Sequence, residues 1–405
     1  MKILMLAHRL PYPPQTGDKV RAYHIARHLA QKHELTLAFL VDEPRPEQAL
    51  HALQKEIPDL TYSKIARTRK RLFALLSLAC GGSATLAYFN SPDFGAQIDD
   101  RLGMDRFDLI YVSSSSMAQY VKNPRHLPVV MDFVDVDSDK WLQYGARLPR
   151  HKAWVYRLEG IRLQQHELAA ARQASRCIVA TRQEEALLHS FAPWAPTSVI
   201  ENGVDLDYFT PFSEPVQDTT IAFTGAMDYF PNIDAALHFS ETIFPKIRAR
   251  LPEARFLIVG KNPAPSVRRL ASRQDGVEVT GEVPDVRPFV RRSSVVVAPL
   301  RVARGVQNKV LEAMAMGLPV VASQKAHEGL EARPGRHLFV EDDPSRFADL
   351  VVKLLNSPLL RTTVGGAARS FVEDHHCWAG SMAKLDRVLA EVTGIASSPT
   401  MKRVS

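Results

Sequence analysis

The segment Ala298-Pro-Leu-Arg-Val-Ala-Arg304-Gly305-Val-Gln-Asn308-Lys309-Val-Leu-Glu312-Ala-Met-Ala-Met-Gly317-Leu-Pro319-Val-Val-Ala322 reads as strand, loop, helix and strand in immediate succession. The apolar run Val295–Leu300 ends where a loop with Gly305 begins, and a helix opens near Gln307. Gly317 and then Pro319 stop it, because glycine accepts the left-handed conformation and proline cannot continue a helix. The next apolar run, Pro319–Ala322, supplies a second strand. Two short apolar runs joined through a helix make the crossover unit of a parallel sheet.

Working outward, the same alternation fills the chain. Ile221-Ala-Phe-Thr-Gly225, Phe256–Gly260 and Val277–Gly281 read as further strands, with a helix over Asp234–Phe244. In the first half, Lys2–Ala7 is a short buried strand, followed by the loop Pro11–Lys19. Val20, Tyr23, Ile25, Ala26 and Leu29 then recur at near-helical spacing, and Leu35–Val41 is the next strand. Leu109–Val112, Val129–Asp132 and Cys177–Ala180 continue the set, and Lys152–Arg172 reads as a long amphipathic helix. The fold class is therefore α/β, with two Rossmann-like domains expected to face each other across a cleft. The linker is placed near 200–215, and the domains at 1–205 and 206–385, with 386–405 as a helix end and tail.

Composition agrees and excludes other classes. The 405 residues exceed one ordinary core and suit two domains. With 45% hydrophobic and 23% charged residues, the chain is not disordered. Cys80, Cys177 and Cys377 form neither a disulfide framework nor a zinc site, which predicts a reducing compartment and a cytoplasmic protein. The first apolar stretch is too short for a signal peptide, and the uncharged Leu72–Pro92 holds too many polar and glycine residues to span a membrane. The net charge of +7 comes without any zinc-finger, RNA-recognition or basic-zipper pattern, so no nucleic-acid partner is expected. Lys64-Ile-Ala-Arg67-Thr-Arg69-Lys70-Arg71 precedes Leu-Phe-Ala-Leu-Leu. It is read either as a solvated helix face or as an anionic-membrane contact through 64–80. Neither a Gly-x-Gly-x-x-Gly after a strand nor a P-loop occurs, which argues against a dehydrogenase and a P-loop ATPase.

The helix opening near Gln307 starts at the carboxyl end of a strand, so its free N–H groups point at the ligand edge of the sheet. Such an end attracts phosphate by roughly 0.3–1 kcal/mol per interaction, and Arg304 and Lys309 add positive charge there. A diphosphate fits this place better than a neutral ligand. Glu312 lies in an otherwise apolar helix, where a carboxylate needs a partner. A ribose diol would supply one; a Glu312–Lys309 pair on a solvent-facing turn is the alternative.

Leu-Glu-Ala-Met-Ala-Met-Gly-Leu-Pro-Val-Val-Ala (311–322) resembles the C-terminal signature of retaining GT-B glycosyltransferases of glycosyltransferase family 4. Glu-Asn-Gly-Val-Asp-Leu-Asp-Tyr-Phe (201–209) resembles that family's interdomain linker. Pro-Pro-Gln-Thr-Gly-Asp (13–18), followed by Ile-Ala-Arg-His-Leu, occupies the place of its N-terminal glycine loop and helix. The similarity runs over roughly 1–390. Within the family, Asp-Phe-Val-Asp-Val-Asp-Ser (132–138) and Gln-Asn-Lys-Val-Leu-Glu (307–312) resemble the sugar transferases associated with PEP-CTERM/exosortase systems.

The resemblance implies a nucleotide sugar held mainly by the C-terminal domain, transfer with retention, and no required metal or other cofactor. Glu312 matches the family's ribose-holding acid. The acid expected eight positions earlier is replaced by Arg304, and the loop Ala226–Asn232 lacks the cations that relatives place after Gly225. Arg304 and Lys309 are expected to supply that charge. The donor-binding set is thus Gly17, Gly225, Glu282, Val283, Gly305, Asn308, Lys309 and Glu312. Gly17 would allow close backbone approach, and Glu282 and Val283 would meet the base. Asp132, Asp135 and Arg304 are the catalytic candidates, the two aspartates orienting or deprotonating an acceptor hydroxyl. Asp135-Val-Asp137 as a metal-binding pair is the alternative. His8, Asp18, Lys19, Arg21 and Ser113–Ser116 follow the same edge, each with a purely structural reading beside the functional one.

The expected function is transfer of a hexose-type sugar to a hydroxyl on a glycan or lipid-linked acceptor, in exopolysaccharide or lipid-linked glycan synthesis, at the inner face of the cytoplasmic membrane. A sugar-nucleotide epimerase of the same fold and a non-catalytic nucleotide-sugar-binding scaffold stay open.

Overall fold

The computed structural model describes residues 1–14, 16–122, 124, 126–146, 148–211, 219–303 and 305–394. The chain divides into two compact units, one of Met1–Glu201 with the stretch from Met382 onward, the other Asn202–Ser381.

The first unit is built on seven strands, β1 (Lys2–Ala7), β2 (Glu34–Val41), β3 (Asp59–Lys64), β4 (Leu109–Ser113), β5 (Val129–Val134), β6 (Arg176–Val179) and β7 (Thr197–Val199). They lie in the order β3-β2-β1-β4-β5-β6-β7, every pair parallel. The order reverses between β1 and β4, the topological switch point where such sheets bind ligands at their carboxyl ends. Helix Gly17–Lys32 follows β1 and buries Ala22, Ile25, Ala26 and Leu29. The edge strands β3 and β7 are absent from the sequence reading. β3 alternates buried Thr61 and Ser63 with exposed Tyr62 and Lys64, too polar a run to stand out.

The sequence reading breaks the chain at 205 and treats 386–405 as a tail, whereas the first unit takes back the chain from Met382. The returning stretch buries Met382, Leu385, Val388 and Leu389, and ion pairs also join it to the unit. Asp386 meets His28 at 2.7 Å and Lys32 at 2.6 Å, and Lys384 meets Glu201 at 2.5 Å.

The second unit holds β8 (Thr220–Thr224), β9 (Arg255–Val259), β10 (Val277–Gly281), β11 (Val295–Ala298), β12 (Val320–Ala322) and β13 (Phe339–Val340). Their order is β10-β9-β8-β11-β12-β13, again all parallel, with the switch between β8 and β11. Phe239 packs on Phe256 with ring centroids 4.4 Å apart, and Phe244 and Phe347 complete the aromatic core. The helix after β8 begins at Phe230, ahead of the expected Asp234, because Pro231 suits a first turn. Over Phe239–Ile243 it widens to a π-turn, just ahead of Pro245, whose ring and missing N–H oppose the regular ladder. Helix Asn308–Ala315 ends as expected, with Gly317 at φ +71°.

Candidate functional site

In the second unit, the predicted donor residues gather at the carboxyl ends of β8, β10 and β11. Gly225 ends β8 with φ +154°, and a Cβ there would stand 2.6 Å from Asn232 Nδ2 and 3.1 Å from Lys309 Nζ. The position therefore excludes a side chain. Lys309 lies in the first turn of Asn308–Ala315 and reaches across to the β8 loop. Its Nζ donates to Asn232 Oδ1 at 2.5 Å and sits 4.5 Å from the Phe223 ring centroid. Gln307 caps this helix without a side-chain bond to its backbone, and no acid stands in its first turn. Asn308 Oδ1 is buried with no hydrogen-bond partner among the described residues.

Glu312 stands one turn further along. Among the described residues no ion pair joins it to Lys309, although each feels the other's charge. Burial draws the Lys309 ammonium down to about 7, only partly opposed by Glu312. Burial likewise lifts the Glu312 carboxyl to about 7, with Lys309 acting against it. The solvent-facing pair considered from the sequence is not formed. Among the described residues, Lys309 has a neutral amide partner and an aromatic face but no ion pair, and the Glu312 carboxylate has no hydrogen-bond donor, so both keep capacity for a polar ligand.

Gly305 has φ +57°, and its carbonyl would lie 2.2 Å from a Cβ on Gly329, so the loop backbone is packed too closely for a side chain at 329. Arg304 lies outside the described residues. Glu282 and Val283 follow Gly281, which has φ +74°. Glu282 borders a depression of about 440 Å³ with Asn262, Pro263, Arg268, Ala271 and Val279. Asn262 also donates to Asp228 at 3.2 Å, tying this depression to the β8 loop.

In the first unit, Asp132, expected at the acceptor, is held in a buried hydrogen-bond network. It is fully buried, and its carboxylate accepts from Arg21 Nε at 2.8 Å, Arg21 Nη2 at 3.1 Å, Tyr111 Oη at 2.6 Å and Val134 N at 3.1 Å. A carboxylate so saturated has no lone pair to offer an acceptor. Arg21 Nη1 also donates to the Ile200 carbonyl at 2.7 Å, so one guanidinium ties helix Gly17–Lys32 to β5 and to the end of the unit. Asp135 is partly exposed just beyond β5, within electrostatic reach of Arg21. Val134, at φ +64°, turns the chain between the two aspartates. No group of three or more His, Cys, Asp or Glu side chains able to hold a metal ion occurs among the described residues, Asp135 and Asp137 included.

Gly17 is exposed at the first turn of its helix. Beside it, Asp18 accepts from Thr16 Oγ1 at 2.6 Å and meets His8 Nε2 at 3.1 Å. Burial would raise the Asp18 carboxyl, but the His8 hydrogen bond and the His8 and Arg9 charges hold it well below the usual range. Lys19 pairs with Glu43 at 2.5 Å. Ser113–Ser116 are all buried, with Ser114 at φ +82° and its Oγ 3.0 Å from that of Ser116. Sequence reasoning missed Asn232 and the Arg21–Asp132 bond. Nothing local signals either, since each depends on a partner more than 70 residues away.

Residues 218–357, which lie in the second unit, match the family model described as Glycosyl transferases group 1. The chain is similar to phosphatidyl-myo-inositol mannosyltransferase of Mycobacterium tuberculosis, at 28% identity over 370 residues that span 83% of this chain and 92% of that protein. It is also 27% identical over 209 residues to the GDP-mannose-dependent monoacylated alpha-(1-6)-phosphatidylinositol monomannoside mannosyltransferase of Corynebacterium glutamicum. That match spans 47% of this chain and 55% of the corynebacterial protein, about half its length. Among solved structures, sucrose-phosphate synthase from Thermosynechococcus elongatus superposes with TM-score 0.73 at 16% identity, over 98% of this chain and 100% of the other. Anabaena HepE in complex with UDP and glucose gives 0.70 at 14%, over 96% and 100%. At such identities the likeness carries the fold: two parallel-sheet Rossmann-like domains of the GT-B type.

Proposed function

We propose that the chain transfers a hexosyl group from a nucleoside diphosphate sugar to a hydroxyl of a lipid-linked or polysaccharide acceptor, with retention and without a required metal. The observation that carries this reading is the placing of Lys309 over Gly225 with Glu312 one turn behind it. Lys309 takes the diphosphate and stabilises the charge of the departing group, and Glu312 accepts from the ribose. Arg304 is assigned a second cation role next to Gly305, and Asp135 the acceptor hydroxyl. The depression at Glu282 receives the base.

The mycobacterial and corynebacterial relatives act, by their names, on phosphatidylinositol lipids, which favours a lipid-linked acceptor. Helix Arg67–Ala79 supports peripheral attachment to an anionic membrane. It rests on Lys70, Ala74, Ser77 and Leu78, while Leu72, Phe73, Leu75 and Leu76 are all more than half exposed beside Arg69 and Arg71. No helix among the described residues is long and apolar enough to cross a membrane. A place on the cytoplasmic side, in the PEP-CTERM/exosortase-type branch of exopolysaccharide synthesis, belongs to the same proposal.

The test is a transfer assay with a panel of nucleotide sugars and membrane-extracted acceptors, followed by NMR of the first-formed anomer with and without EDTA. A retained anomer and an EDTA-insensitive rate are expected; an inverted product or a chelator-abolished rate contradicts the reading. Conversion of donor without acceptor identifies an epimerase instead, and donor binding without turnover a scaffold.

A further inference from the structure

The ammonium of Lys309 has a neutral partner. Asn232 Oδ1 accepts from it at 2.5 Å, and the other end of the amide is committed, since Asn232 Nδ2 donates to the Ala226 carbonyl at 2.9 Å. These two bonds fix which way round the amide sits. Asn232 is buried, and its own N–H donates to the Tyr229 carbonyl at 3.0 Å, so the side chain stands on an ordered turn. Gly225 forms a floor of bare backbone beneath both side chains.

Among the described residues, several charged groups of this unit have partners of their own. Arg301 pairs with Asp234, Asp228 accepts from Asn262, and Arg369 of helix Pro358–His375 donates to the Phe209 and Ala315 carbonyls. Glu312 acts on Lys309 only through its field. A carboxylate in place of Asn232 would neutralise the ammonium permanently. A neutral amide instead orients the nitrogen and leaves two of its three N–H donors for an incoming anion.

We infer that Asn232 is the positioning residue for the diphosphate-binding cation, holding Lys309 over Gly225 so that the nucleotide, and not the protein, supplies its counter-charge. This rests on the donor reading above. Nucleoside diphosphate binding then fixes a proton on Lys309, and release of the nucleoside diphosphate after transfer gives that proton back. Burial, which already draws the group down to about 7, makes the exchange readable near neutrality.

Isothermal titration of the full chain with GDP and UDP from pH 6 to 9 tests this, using the wild type, Asn232→Asp, Asn232→Ala and Lys309→Met. The wild type should lose affinity about tenfold per pH unit on its alkaline limb, as one proton requires. Asn232→Asp gives the ammonium a fixed partner, so the limb should move up by about one unit or more, with binding at pH 6 weakened about tenfold. Asn232→Ala should weaken binding at pH 6 several-fold, and Lys309→Met should lack the limb. An Asn232→Asp protein of unchanged Tm with the wild-type limb overturns the inference, as does a limb that survives in Lys309→Met. If Asn232→Asp does not fold, wild-type affinity in Asn232→Ala overturns it equally. A wild type that binds neither nucleotide at any pH brings down the donor reading itself, whereas failure confined to the variants spares it.

Discussion

Arg21 and Asp132 meet in full burial through two hydrogen bonds, Nε to Oδ2 at 2.8 Å and Nη2 to Oδ1 at 3.1 Å. Removing one partner leaves an uncompensated charge in the core. Arg21→Met and Asp132→Asn are each expected to lower the unfolding free energy by about 3–5 kcal/mol in urea denaturation, the second because an amide NH2 would face donors and leave Arg21 without its counter-charge. Transfer per folded molecule should persist in Asp132→Asn. A folded but inactive Asp132→Asn would return the residue to the mechanism.

Donor affinity should peak near neutrality. Lys309 is charged below about 7 and loses its proton above it, while Glu312 is protonated below about 7 and ionised above it. On the proposed donor reading, acid therefore removes the acceptor for the ribose, and alkali removes the cation for the diphosphate. Glu312→Gln is expected to flatten the acid limb and weaken donor binding at pH 7 by about tenfold, since a hydrogen bond to a charged group contributes about 1.5–3 kcal/mol. Lys309→Glu should abolish binding, and calorimetry at fixed ionic strength reads both.

Glu167 gives a stability prediction of definite sign. Its carboxyl accepts from Ser138 N at 3.2 Å and also meets Ser138 Oγ, and burial lifts it to about 8 against those bonds. A carboxyl raised in the folded state stabilises fully below its unfolded value and progressively less as pH rises through 8. Glu167→Gln, neutral throughout, should therefore raise Tm relative to the wild type at pH 9 more than at pH 5. An equal change at both would contradict the assignment.

Vesicle sedimentation checks the exposed helix. Arg69→Ala with Arg71→Ala should weaken binding to anionic vesicles by roughly thirtyfold, at about 1 kcal/mol for each cation near the surface. Leu75→Ser with Leu76→Ser should weaken binding to neutral vesicles as well, because it removes apolar contact. The helix itself should survive. Arg162 Nη1 holds its end through the Leu78 and Gly82 carbonyls at 2.8 and 2.7 Å, and Glu159 caps the turn at Ser83, Ala84 and Thr85. Vesicle binding indifferent to both pairs of changes rules out this face.

The sheets were legible where strands are buried on both faces. Lys2–Ala7 and Val295–Ala298 read as unbroken apolar runs, and Gly317 with Pro319 marked the helix between β11 and β12. β3 escaped because an edge strand keeps polar residues on its outer face. At the candidate site, the chemistry of Lys309 and Glu312 was visible as charges in an apolar helix. What was hidden is which long-range partner each charge takes. Asp132 looked like a free acid because nothing in Val129–Asp139 announces Arg21, and Asn232 looked inert because its amide matters only through Lys309.

The return of the chain from Met382 to the first unit makes the second unit an internal cassette with two covalent tethers, at Glu201/Asn202 and Ser381/Met382. A fragment ending at residue 201 would leave His28 and Lys32 without Asp386, Glu201 without Lys384, and Arg176 without Glu391. Exchanging the second unit with that of a relative therefore calls for replacing the whole span 202–381 while keeping the native helix beyond it. A graft of everything beyond the linker would import a foreign closing helix against Gly17–Lys32 and unsettle the unit it was meant to leave alone.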